Sequence, residues 1–230
     1  MTPKTIKPHL YSLPLKNDSN NNRYFVRRII CIGRNYAEHA REMGHNPEEA
    51  PPFFFYKPLT ALCDASKPIK WKLPTYSRNV HYELEVAIAI NKEVTSTNPE
   101  SAILAAGLSL DMTCRDIQQL SKAAGRPWAT AKGFDHSAPC STLQAIDWTG
   151  LKKLGDFSLR QNNKQVQLGN IAEMVWSIPE LITELSLYTQ LDYGDLILTG
   201  TPAGVGAVAA GDKLEANIDG MSCAISIDIF

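Results

Sequence analysis

The chain has 230 residues, 44% of them hydrophobic and 20% charged, with a formal net charge of −1. That length suits one substantial domain or two small ones, with ample chain to bury a core. The near-neutral charge argues against electrostatic capture of nucleic acid or of an anionic membrane.

Five scattered cysteines (Cys31, Cys63, Cys114, Cys140, Cys223) show no CxxC pair or zinc spacing, so reduced thiols of a soluble cytoplasmic protein are expected. The first twenty residues hold no apolar run long enough for a signal peptide, and nothing later could span a bilayer. Residues 1–24 are proline-punctuated and end in the polar cluster KNDSNNN, read as an irregular arm ahead of a single domain over residues 25–230. A strand is expected over 25–32, closed by Gly33. Asn35 can cap a short helix, with Glu38 completing a capping box and Gly44 ending it.

Residues 53–56 form a second strand, stopped by Lys57-Pro58. A third is HYELEVAIAI, residues 81–90, where alternation puts Glu83, Glu85, Ala87 and Ala89 on one face and Leu84, Val86, Ile88 and Ile90 on the other. Over 101–110 helix and strand compete, because Gly107 interrupts an apolar run. Residues 113–124 predict a helix with Asp116 three positions after Thr113, a buried stripe of Ile117, Leu120 and Ala124, and Gly125-Arg126-Pro127 as its stop. A hairpin turns at Asn162-Asn163 within 157–168. Ser177-Ile178-Pro179-Glu180 opens a helix with the stripe Ile178, Leu181, Ile182, Leu185 and Tyr188. Strands over 195–199, 214–218 and 221–229 follow, the last two joined by Asp219-Gly220. Strands outnumber helices without alternating with them, which predicts one β-rich α+β domain rather than a doubly wound sheet.

Several residues carry chemistry. Glu83 and Glu85 stand roughly 6–7 Å apart along a strand, and each raises the cost of ionising the other. An exposed face would tolerate them. The small Ala87 and Ala89, the apolar opposite face and His81 on the glutamate side favour a shared cation, and such oxygen ligands suit Mg²⁺, Ca²⁺ or Mn²⁺. Asp111 is a candidate third ligand or a helix cap. Arg115 and Gln118, three apart, offer a carboxylate-binding fork or a solvated helix face. His39 and Glu42 can be a general base with its orienting carboxylate or a surface ion pair. Lys132, in WATAKGFDHSAP, can stabilise negative charge on oxygen or simply be exposed. LILTGTPAGVG, residues 196–206, lacks the ending of a Walker loop and reads as a tight turn presenting a hydroxyl and N–H groups.

Taken in order, CIGRNYAEHAREMG, FYKP, HYELEVAI, LDMTCRDIQ, WATAKGFD and GDLILTGTPAGVG together resemble the fumarylacetoacetate hydrolase family. The match is nearest to its small members that act on acylpyruvates and oxaloacetate, and spans Cys31 to Gly206. The resemblance implies a mixed β-sandwich roll of the fumarylacetoacetase C-terminal-domain type with flanking helices, as a homodimer. It implies Mg²⁺ or Mn²⁺ (Ca²⁺ can take the same place) held by Glu83, Glu85 and Asp111. It further implies an oxo-acid site lined by Lys132, Arg115, Gln118 and Thr201, and a water-activating pair, His39 and Glu42, on a closing helix. The lead-in before Cys31 has no counterpart, and Tyr82 replaces a histidine of some relatives. The expected activity is at C3 of 2-oxo acids through a pyruvate enolate: acylpyruvate hydrolysis with oxaloacetate decarboxylase capacity. The alternatives are an oxaloacetate keto–enol tautomerase, a 2-hydroxyhepta-2,4-diene-1,7-dioate-type isomerase, or a non-catalytic metal- or oxo-acid-binding domain.

Overall fold

The computed structural model describes residues 10–16, 21–42, 51–91, 94 and 99–230. A ten-stranded mixed sheet organises the chain. Along its path run Asn21–Phe25, Ser12–Lys16, Leu143–Ala145, Ile103–Leu110, Leu84–Ile90, Asp195–Leu198, Arg28–Gly33 and Phe53–Lys57. Across one face lies a five-stranded sheet of Lys164–Gly169, Phe157–Gln161, Lys213–Ile218, Ala224–Ile229 and Ile69–Trp71. The fold is thus strand-rich α+β, as the uneven strand and helix pattern predicts.

Alternation along Leu84–Ile90 holds residue by residue. Leu84, Val86, Ile88 and Ile90 enter the large core shared with Leu159, Leu214, Ile218, Ile225 and Ile227 of the five-stranded sheet. Ala87 and Ala89 enter a smaller core with Ile29, Cys31, Ala105, Leu196 and Leu198. Both alanines are fully buried, so the glutamate face of this central strand is interior, not solvated. Burial of each large side chain here stabilises by about 1.5–3 kcal/mol. The helix Ile178–Ser186 seals one flank: its Ser177–Glu180 capping box forms, and Ile178, Leu181, Ile182 and Leu185 are buried. Tyr188 lies beyond that helix and is exposed.

Other expectations change. The lead-in is not irregular throughout: Ser12–Lys16 and Asn21–Phe25 form an antiparallel pair on the sheet, so the strand expected over 25–32 divides into Asn21–Phe25 and Arg28–Gly33. Tyr24 ties this edge down, its hydroxyl donating its one proton to the Asp195 carbonyl, with the Ile90 carbonyl also within reach, and accepting from the Ile90 and Gly194 amides. Residues 103–110 are strand, where pairing with Leu84–Ile90 outweighs Gly107. The Asn162-Asn163 turn forms with φ of 51° and 66°, the left-handed pair a two-residue hairpin requires. Among the described residues no helix is long and apolar enough to cross a membrane.

Candidate metal and oxo-acid site

The site grows from a break in one strand. Pairing stops at Glu83, between Val80–Tyr82 of a small three-stranded sheet and Leu84–Ile90 of the large one. The Leu84 amide is satisfied by the Gln167 side-chain oxygen at 2.9 Å, and the Asp111 amide donates to the Glu83 carbonyl at 2.8 Å. Glu85 pairs with Ser109, so Glu83, Glu85 and Asp111 share a face at the end of two neighbouring strands. One oxygen from each of the three lies within 4.8 Å of the others, and all three residues are buried. Asp111 is not a helix cap. The N-cap of the following helix, Arg115–Ala123, is Cys114, whose side chain makes no capping bond. Thr113 does not cap it either, because its hydroxyl donates to the Asp111 carbonyl, while Asp116 accepts from Ser77 and Arg78.

Cations knit the carboxylates together. Lys132 Nζ donates to Glu83 Oε2 and Asp111 Oδ2, each at 2.6 Å. Arg115 donates to Glu83 Oε1 at 2.5 Å and to the Gln118 side-chain oxygen at 2.7 Å. Lys57, which the sequence reading treats only as a strand end, is fully buried. Its ammonium sits 2.8 Å from Asp111 Oδ1 and bonds the Lys132 carbonyl and Ser137 Oγ. The helix Arg115–Ala123 is turned opposite to expectation: Arg115, Gln118 and Ser121 are buried, whereas Leu120 is 67% exposed. Its polar face points inward because Glu83 accepts from Arg115, which in turn donates to Gln118.

The three carboxylates are not equivalent. Burial alone would raise Glu83, but Lys132 and Arg115 reverse this and hold its carboxyl far below the usual range. Burial pushes Glu85 well up, reinforced by Asp111 and Glu83 and opposed by Lys132 and the Gly200 amide. That amide, 2.8 Å away, is its bonding partner. Burial works against the charge on Lys132, yet Asp111 and Glu83 outweigh it and raise the ammonium above its ordinary value. It is therefore a fixed cation and donor, not a base. Asp111 Oδ1 accepts no hydrogen bond despite the nearby Lys57, whose approach is poorly directed. An under-compensated Glu85 beside an open Asp111 oxygen is a donor set that a hard divalent cation fits.

His39 reaches the same cleft from the helix Ala37–Glu42, 7% exposed, with Nδ1 3.4 Å from Glu42 Oε2. Burial lowers its pKa below 6.5, with Glu83 and Glu42 pulling the other way. Asn35 does not cap this helix. Its amide donates to the Thr199 and Trp176 carbonyls at 3.0 Å each and accepts from the Trp176 amide at 2.8 Å, riveting the helix start to the Gly200 turn. Gly44 lies outside the described residues. In that turn Gly200 takes φ +94°, and a Cβ there would stand 2.8 Å from Asn35 Cβ. Thr201 Oγ1 accepts from Gln167 at 2.9 Å and lines the cleft, whereas the Gly200 amide serves Glu85.

The structure thus brings His39, Glu83, Glu85, Asp111, Arg115, Gln118, Lys132 and Thr201 onto one cleft, with Glu42 at its rim beside His39. Residues not singled out from the sequence join them: Arg34, Phe53, Phe55, Lys122 and Trp128 line the cleft, with Lys57 and Gln167 supporting it from behind. One signal was available, since alternation from Phe53 puts Phe53, Phe55 and Lys57 on a common face.

A strand-rich roll with a buried triple carboxylate braced by lysines defines a candidate centre for a hard cation and a small anionic ligand. Residues 28–226 match the family model described as fumarylacetoacetate (FAA) hydrolase C-terminal, and the chain belongs to that family. It is 42% identical over 204 residues to an oxaloacetate tautomerase of Escherichia coli, covering 86% of this chain and 91% of the relative. It is 38% identical over 209 residues to a mitochondrial oxaloacetate decarboxylase of Dictyostelium discoideum, covering 88% and 94%. Among solved structures, a fumarylpyruvate hydrolase of Pseudomonas aeruginosa in complex with Mn²⁺ and pyruvate superposes with a TM-score of 0.91 at 36% identity, over 99% of both chains.

Proposed function

We propose that this protein is a divalent-cation-dependent enzyme acting at C3 of 2-oxo acids, with acylpyruvate hydrolysis as its main reaction and oxaloacetate decarboxylation within its capacity. The observation that carries the reading is the convergence of Glu83, Glu85 and Asp111 with Lys132 and His39 on one small cleft. Fold relatives that act on such substrates support it. Glu83, Glu85 and Asp111 are the residues that would hold Mg²⁺ or Mn²⁺, which when bound supplies Lewis acidity to the oxygens of a 2-oxo acid. The enzyme is taken to be a homodimer, which light scattering tests directly.

The chain's own groups divide the remaining work. Lys132, cationic and desolvated, offers its ammonium to the oxygen on which enolate charge develops, an interaction stronger in the transition state than in the ground state. Arg115, Gln118 and Thr201 fix the carboxylate end of the ligand. His39, neutral at pH 7 because burial lowers its pKa, accepts a proton from water while Glu42 orients the ring. Hydroxide adds to the acyl carbonyl, the bond from that carbon to C3 breaks, and its electron pair passes into the enolate of pyruvate. Proton return to C3 gives pyruvate and the free acid. From oxaloacetate, loss of carbon dioxide delivers the same enolate without water.

A second reading, oxaloacetate keto–enol tautomerisation, is favoured by the 42% identity to the Escherichia coli tautomerase. Hydrolysis is favoured by the Pseudomonas hydrolase, which superposes over 99% of this chain. The test is a panel of acetylpyruvate, fumarylpyruvate and oxaloacetate with Mg²⁺, with Mn²⁺ and with EDTA, following enol absorbance and pyruvate together. Ion-dependent pyruvate release from acylpyruvates supports hydrolysis, and enol loss without pyruvate supports tautomerisation. Turnover that persists in Glu83→Ala with EDTA would refute both.

A further inference from the structure

Gln167 joins the two sheets at the site. It lies on Lys164–Gly169, the edge strand of the five-stranded sheet, and is 1% exposed. Its side-chain oxygen accepts from the Leu84 amide at 2.9 Å, at the strand break just after Glu83. Its side-chain nitrogen donates to Thr201 Oγ1 at 2.9 Å and to the Pro202 carbonyl at 3.0 Å. A backbone amide only donates and a carbonyl only accepts, so Leu84 and Pro202 fix which end of the Gln167 amide faces which way. The loop after Thr201 is pressed onto the same strand. Gly204 takes φ +93° there, and a Cβ on it would collide with the Val166 carbonyl.

That orientation decides what Thr201 can offer. Gln167 approaches Oγ1 as a donor, so the hydroxyl accepts through a lone pair and keeps its single hydrogen for another partner. Among the described residues Oγ1 makes no other hydrogen bond. Thr201 is 2% exposed and lines the cleft with Glu83, Arg115 and Lys132, whereas Gln167 lies behind it. A buried donor hydrogen without an acceptor is unfavourable, and a ligand oxygen in the cleft relieves it.

We propose that Gln167 is a positioning residue that commits the Thr201 hydroxyl to donation, so that this corner of the cleft takes an ionised carboxylate oxygen rather than a group that donates. The inference rests on the 2-oxo acid reading, in which Thr201 meets the carboxylate end of the ligand, and adds the residue that sets the polarity of that contact. Without the Gln167 donor the hydroxyl hydrogen is free to rotate away from the ligand.

The test is the coupling between the two side chains, read as pyruvate affinity by calorimetry on the Mn²⁺-loaded protein. Thr201→Val and Gln167→Met should each weaken pyruvate at least about tenfold, the scale of one hydrogen bond to a charged group. In the Thr201→Val background, Gln167→Met should weaken it by less than about twofold more, because no hydroxyl is left to direct. A purely structural role for Gln167, through the Leu84 amide or the loop, would cost the same factor in both backgrounds, and that result overturns the proposal. So does a Thr201→Val variant that binds pyruvate as wild type does. Gln167→Glu is the second variant, needed where methionine impairs folding. It keeps the shape and the acceptor for Leu84, but its carboxylate captures the Thr201 hydrogen, so it should cost about tenfold more with Thr201 present than in the Thr201→Val background. Equal costs there overturn the proposal too. Additive effects of this kind leave the 2-oxo acid reading standing, whereas failure of wild type to bind pyruvate overturns that reading and this inference together.

Discussion

Glu85→Gln tests the electrostatics of the centre most directly, because it should raise stability and abolish metal binding at once. Glu85 is 2% exposed, and its carboxylate has the Gly200 amide as its bonding partner. Two further carboxylates present oxygens within 4.8 Å. At an effective dielectric of about 20, each such repulsion is worth at least roughly 3.5 kcal/mol. Lys132, 2.6 Å from both neighbours, offsets much of it, leaving a net cost on the order of 1–3 kcal/mol. Glutamine keeps the shape and can still accept from Gly200. The EDTA-treated variant should therefore melt roughly 2–10 °C above EDTA-treated wild type, read by circular dichroism. Saturating Mn²⁺ should reverse the order, since ion binding at a thousandfold excess over Kd adds about 4.1 kcal/mol to wild type alone. A variant that melts lower than wild type in EDTA would show that Glu85 is well compensated, and the case for a cation between these carboxylates would fall.

His39→Ala should cut acylpyruvate hydrolysis by about 10²–10⁴-fold while the Mn²⁺-induced rise in melting temperature stays as in wild type; equal loss of both would make His39 structural. The base must be neutral to act, and its folded pKa lies below 6.5 because burial outweighs Glu83 and Glu42. Hydrolysis should thus hold through neutral pH and fall away only as pH drops through that lowered value. Glu42→Gln, which removes a contribution that raises the pKa, should move the acid limb of kcat/KM to still lower pH, and an acid limb at or above pH 6.5 in wild type would contradict the assignment. Lys57→Met takes the ion-pair partner from Asp111 Oδ1 and one of the partners of the Lys132 carbonyl and of Ser137, and should cost about 3–5 kcal/mol in urea unfolding; a loss under 1 kcal/mol would mean that the neighbours collapse onto the gap.

Period-two alternation made much of the centre legible. It placed Glu83 and Glu85 on one face of a strand with Ala87 and Ala89, and the order of motifs then joined them to Asp111 and Lys132. It failed where one polar group had two plausible employers. Asn35 looks like a cap from its neighbours in sequence, but its amide is engaged by Trp176 and Thr199, more than 140 residues away. The helix after Asp111 was assigned the wrong buried face, because a stripe rule assumes an apolar interior and this interior contains carboxylates. Lys57 was passed over for a related reason. A lysine before proline reads as the end of a strand, although its alternation with Phe53 and Phe55, fixed by the register opposite Ile29, carries it into the site.

The riveted start of the His39 helix has a mechanical consequence. With Asn35 locked to two distant carbonyls and Tyr36 bridged to Met174, the segment is a cantilever fixed at its start. At 1.5 Å of rise per residue, His39 lies only about 3 Å along the axis from Ala37, the first helical residue. Glu42, more than twice as far out and with 39% of its side chain in solvent, is met there by the Gly204 amide at 3.4 Å and would sweep the wider arc. Small rotations would therefore retune the 3.4 Å link between carboxylate and imidazole while leaving the ring over the carboxylates nearly stationary.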